Sequence, residues 1–176
     1  MDIKKEDTRN SLFKGTGKIV FGDRFVGRTN ALRQIRNRVV EGHGNISVIG
    51  MPRVGKTSLV WECLMTDRNR LVGDYKLIPV FIESASVASE YDYIKLLVDE
   101  TCQEIEDIIF EKSSSSQLDS VYTNELCQYG GMLSADKSPV ENANIFKKFF
   151  RKLYLKAEFG VIFILDEFDH TQKIFG

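Results

Sequence analysis

Residues 50–58 read GMPRVGKTS, and this short stretch constrains the fold more than any other. It follows the β-branched run NISVI, which predicts a strand over 45–50. It leads into an apolar-periodic segment that predicts a helix over roughly 56–66. The stretch fits G-x-x-x-x-G-K-[ST], and each fixed position has a physical reason. Glycine lets the backbone fold tightly enough for several N–H groups to converge on one point. The helix that follows aims the positive end of its dipole at the same place. Such a pocket suits a chain of phosphates. Lys56 adds a point charge to the phosphate oxygens, and the Thr57 hydroxyl is suited to the shell of a magnesium ion. The candidate binding residues are therefore Gly50, Met51, Pro52, Arg53, Val54, Gly55, Lys56, Thr57 and Ser58.

A second stretch, VIFILDE at 161–167, predicts a buried strand that ends in paired carboxylates. Apolar strands ending in acids are common, but beside the 50–58 pattern (Walker A) this one reads as its partner, Walker B. Asp166 is then the candidate magnesium residue, and Glu167 the candidate base that polarises water for attack on a terminal phosphate. Lys56 and Glu167 are the candidate catalytic residues.

Between these motifs the pattern alternates. Residues 1–24 read as an irregular lead, interrupted by Gly15, Gly17 and Gly22. A helix is predicted from Thr29, with Leu32, Ile35 and Val39 on one face and Gly42 and Gly44 ending it. KLIPVFIES (76–84) predicts a second buried strand, and its Pro79 points to a strand start or an edge. Residues 90–111 predict a long amphipathic helix, carrying Ile94, Leu97, Val98, Ile105, Ile108 and Ile109 on one stripe. SSSS at 113–116 breaks it, and 117–137 carries no readable period. Ser138-Pro139-Val140-Glu141 predicts a capped helix start. Phe146, Phe149, Phe150, Leu153 and Ala157 give that helix its apolar stripe, with Gly160 expected to end it. Strands alternating with helices imply an α/β fold with a parallel sheet.

With 176 residues the chain is long enough for one domain with a substantial core. No apolar run approaches the roughly 18–20 residues of a membrane span. The polar start MDIKKEDTRN is not a secretory signal. Three cysteines, Cys63, Cys102 and Cys127, show no CxxC spacing, which favours reduced thiols and a cytoplasmic setting. Residues 1–40 hold ten basic against four acidic side chains, and residues 83–125 two against eleven. Two solvated faces of opposite sign account for this, with a nucleic-acid or partner surface as the other reading. His43 and His170 have no ligand cluster around them, so neither marks a metal site.

FVGR at 25–28, a helix, GMPRVGKTS and VIFILDEFD, in that order, resemble the core of STAND-type signalling ATPases, the group of NACHT and NB-ARC proteins and their bacterial relatives. The order is also similar to archaeal and bacterial ATPases allied to the origin-recognition branch of AAA+ proteins. The resemblance implies a P-loop NTPase, a three-layer α/β/α domain over 25–176, with ATP and Mg²⁺ as its ligands. It implies that Phe25, Val26, Gly27 and Arg28 lie against the adenine. It further implies an ATP/ADP switch that self-associates in the full-length protein, in many bacterial members for defence.

In the sheet such proteins resemble, strands beyond Walker B complete the fold, and one of them lies between the Walker A and Walker B strands. The sequence is therefore expected to be the front part of a larger ATPase. The alternative is an origin-recognition-like ATPase acting on nucleic acid, which the basic residues of 1–40 alone support. A small-molecule kinase fits less well, since the long segment before Walker A and the Asp166-Glu167 pair both argue against it.

Overall fold

The computed structural model describes residues 18–84, 87–111 and 120–168, and the chain divides after Asp67 into two compact units. The lead over 1–17, the serine run at 113–116 and His170 lie outside the described residues.

In the first unit a single 3₁₀ turn at Gly22–Arg24 precedes helix α1, Thr29–Arg36. Arg28 enters this helix in the left-handed conformation, φ 55°. The helix widens to a π-helical stretch at Asn37–Glu41, which Gly42 caps. Ile35 and Val40 are the buried positions of this stretch, whereas Leu32 and Val39, expected on the same face, are half-buried; the wider π-helical turn brings the residue five positions on, not four, to the inside. Arg33 and Arg36 occupy the last turn of α1, where basic side chains oppose the negative end of the helix dipole. Helix α2, Lys56–Val60, likewise widens to a π-helical stretch at Trp61–Met65. It buries Leu59, Cys63 and Leu64.

Residues 43–50 form no strand, so the sequence expectation for 45–50 is corrected here. A strand gains its regular hydrogen bonds only from a neighbour, and no described segment pairs with this one. Its side chains are not buried either: Ile46 is 42% exposed and Ile49 92%.

In the second unit α3, Arg68–Asp74, leads to β1, Leu77–Glu83, and three helices follow. These are α4 (Glu90–Glu111), α5 (Ser120–Gly131) and α6 (Pro139–Ala157), and the chain then returns in β2, Gly160–Asp166. The two strands pair parallel and in step, from Leu77 opposite Gly160 to Glu83 opposite Asp166. A parallel pair needs a long crossover, and here three helices supply it. The described residues are thus mixed α/β, mostly helical, with a two-stranded parallel sheet. Pro79 sits third in β1 and is buried rather than starting the strand. With β2 as the sole described neighbour of β1, the N–H that proline lacks costs no second ladder.

The core of this unit joins Ile78, Val80 and Ile82 of β1 to Val98 and Ile105 of α4, Leu126 of α5, and Phe149 and Leu153 of α6. Each such fully buried side chain contributes about 1.5–3 kcal/mol by leaving water. Phe150 sets its ring edge-on to Phe149 at 4.7 Å and to Phe163 of β2 at 5.5 Å. Such tilted aromatic pairs add to the area they bury. The predicted cap of α6 is present: the Ser138 hydroxyl accepts from the Glu141 N–H, and the Glu141 carboxylate accepts from the Ser138 N–H at 2.9 Å. The end of α6 differs from expectation. Glu158, not Gly160, takes the left-handed turn that stops the helix, with φ 58°, and Gly160 already begins β2.

Candidate functional site

In the first unit the segment 50–58 closes on itself around Lys56. The Lys56 ammonium donates to the carbonyl oxygens of Gly50 and Met51, both at 3.1 Å. The positive charge is thereby held inside the bend, although its residues 50–54 are exposed. Gly55 makes the bend feasible. Its φ of 81° lies in the left-handed region, where a side chain is strained. Directly after it the backbone turns helical at Lys56, and Gly55 has no side chain with which to cap the first turn of α2. N–H groups at such a helix start lack partners within the helix, and an anion satisfies them.

The segment before α1 braces this bend. The Arg28 guanidinium donates to the Val54 carbonyl and, at 3.4 Å, to the Gly55 carbonyl. Upstream, the Val20 N–H donates to the Ser58 hydroxyl at 3.0 Å, and the Gly22 N–H to the Glu62 carboxylate at 2.6 Å. Phe21 packs against Trp61, ring centroids 6.3 Å apart. Residues 20–28 therefore run along α2 and the bend. The structure brings Arg28 to the phosphate-loop candidates through its side chain. Val26 is 87% exposed, and Gly27 takes φ 86°, which turns the chain ahead of Arg28. Phe25 accompanies them in extended backbone, with its N–H donating to the Gly22 carbonyl at 2.8 Å.

The remaining candidates belong to the second unit. Asp166 closes β2, and Glu167 follows it with φ 53°, a left-handed backbone that few residues other than glycine adopt. The chain turns sharply there, leaving Asp166 half-buried and Glu167 exposed. The parallel register adds a residue that the sequence reading missed. Glu83, the last residue of β1, stands opposite Asp166, so two carboxylates share the carboxyl edge of the pair. A signal existed in the sequence: VFIE and FILD both run apolar residues into an acid, and aligning those ends gives the observed register.

Arg28, which the resemblance sets against adenine, also makes loop contacts that span 26 and 27 residues, and no spacing rule reveals those. Among the described residues no group of three or more histidine, cysteine or acidic side chains forms a ready metal site. No described helix is long and apolar enough to cross a membrane. No family model, curated protein or solved structure matches the chain.

Proposed function

We propose that the chain binds ATP with Mg²⁺ through residues 50–58 and serves as the nucleotide-binding part of a STAND-type ATPase switch, within a P-loop α/β/α fold. The observation that carries this reading is the bend closed around Lys56, with its ammonium on the Gly50 and Met51 carbonyls. A charge held by weak carbonyl acceptors is ready to exchange them for phosphate oxygens, which accept more strongly. Arg28 holds the carbonyls of Val54 and Gly55.

In the first unit the Thr57 hydroxyl would hold magnesium; in the second, Asp166 is the carboxylate to which the Walker B resemblance gives that role. Magnesium would supply charge neutralisation for the phosphates. Glu167 serves as the base: an exposed carboxylate that accepts a proton from an attacking water. Nucleic-acid binding has less support than the basic stretch suggests. Arg28 holds the bend, and Arg36 is paired with Asp67, so two of its cations already have acidic or carbonyl partners.

Titrating a fluorescent ATP analogue with Mg²⁺ into the chain and into Lys56→Ala tests the reading. Loss of one charge-assisted contact is expected to weaken binding by at least about tenfold. Equal affinities in the two proteins contradict it.

A further inference from the structure

Helices α4 and α5 lie antiparallel, and two levels of contact fix their register. Val98 faces Gly130 so closely that a Cβ on the glycine would stand 3.1 Å from the valine Cγ1. At the far end Glu106, Ile109 and Phe110 line one shallow groove together with Thr123 and Asn124. One helical turn on from Val98 is Cys102, and about one turn back from Gly130 is Cys127. That register sets Cys102 opposite Cys127 across the seam, and each thiol perturbs the titration of the other. Both are half-buried, neither sealed in the core nor fully open. The side-chain-free face of Gly130 draws the helices together one turn away, which favours the short Cα separation a disulfide requires.

We propose that Cys102 and Cys127 form a reversible intramolecular disulfide when the protein meets a peroxide, joining α4 to α5. The neighbouring Cys102 thiol favours the Cys127 thiolate, lowering its pKa, and the proton stays on Cys102. Asp99 and Glu106 oppose thiolate formation at both sulfurs. In the first step the Cys127 thiolate attacks one peroxide oxygen. The O–O bond breaks, hydroxide leaves and takes up a proton as water, and a sulfenic acid remains. Cys102 then attacks that sulfur, the S–S bond forms, and the sulfenic hydroxyl departs as a second water with the thiol proton. Two thiols have lost two electrons and hydrogen peroxide has gained them. Cys63 is an internal control: it is 4% exposed, its thiol donates to the Leu32 carbonyl at 3.5 Å, and burial pushes its pKa up.

The test exposes the whole chain to hydrogen peroxide, followed by thiol counting, intact mass and non-reducing peptide mapping. The expected result is loss of two of the three thiols, a mass two hydrogens lighter, and one peptide pair joining Cys102 to Cys127. A phosphine reductant is expected to reverse all of it, with Cys63 free throughout. In Cys102→Ser, dimedone is expected to label Cys127 as a sulfenic acid. Three free thiols after peroxide, cross-links between chains, or a bridge that includes Cys63 overturns the proposal. The mapping on the unaltered chain decides the matter even where the variant fails to fold.

Discussion

The ammonium of Lys56 reaches back six residues to donate to the Gly50 carbonyl at 3.1 Å. Together with the equal contact to the Met51 carbonyl, it closes the bend that the glycines allow and sets the positive charge where the first turn of α2 begins. Phosphate oxygens accept more strongly than carbonyls do. Phosphate would replace them, and the proposed function rests on that exchange.

Arg28 is expected to act on the bend more than on the base of the nucleotide. Its guanidinium holds the Val54 and Gly55 carbonyls, whereas the family resemblance places it against adenine. Arg28→Ala is therefore expected to weaken ATP and GTP alike, by about tenfold for one charge-assisted contact. Competition binding with both nucleotides checks this. A changed ATP-to-GTP ratio with little overall loss would restore the adenine role.

Gly55→Ala places a side chain at φ 81°. The left-handed region costs a non-glycine residue about 1–2 kcal/mol, while the added Cβ meets nothing nearer than the Arg28 guanidinium at 3.8 Å. Urea melts are expected to show a loss of that size, or a local shift of the bend with weaker nucleotide binding. A variant as stable and as competent as the original would show that the left-handed turn is not required.

The cap of α6 gives a pH prediction. Glu141 accepts from the Ser138 N–H at 2.9 Å and from its hydroxyl at 2.8 Å, and the backbone bond, then the hydroxyl, hold its pKa below the usual glutamate value. A depressed carboxylate pKa means stability that is fully present above the unfolded value and lost as the pH falls through the folded one. Denaturation between pH 7 and pH 3 is therefore expected to show a component that Glu141→Gln removes. Ser138→Ala is expected to cost about 1 kcal/mol at neutral pH, the usual loss for an N-cap. Identical pH profiles for the original and Glu141→Gln would contradict the cap's role.

Much of the second unit was legible because its signals are local. The α4 stripe and the Ser138–Glu141 cap each depend on residues three or four apart, and both are present as read. Helices α3 and α5 were not legible. RNRLVGD buries Leu71 and Val72 amid charge, with a glycine inside, and α5 has a weak pattern in which Thr123 is as buried as Leu126. Their helicity comes from packing against neighbours, which spacing does not encode. The strand expected at 45–50 failed for a related reason. NISVI has the right residues, but strand structure also needs a partner. At the candidate site, the bend was read from its glycines and lysine. The contacts of Arg28 and the pairing of Glu83 with Asp166 are long-range, and only the folded chain shows them.

Hydrogen exchange over residues 50–58 tests the central claim most directly, measured with Mg-ATP, with Mg-ADP and with adenosine. Backbone N–H groups that take phosphate oxygens as acceptors exchange more slowly. The account predicts marked slowing at Met51 and over 53–58 with ATP and ADP, none with adenosine, and loss of the effect in Lys56→Ala. Unchanged exchange with ATP, or equal slowing with adenosine, would contradict it.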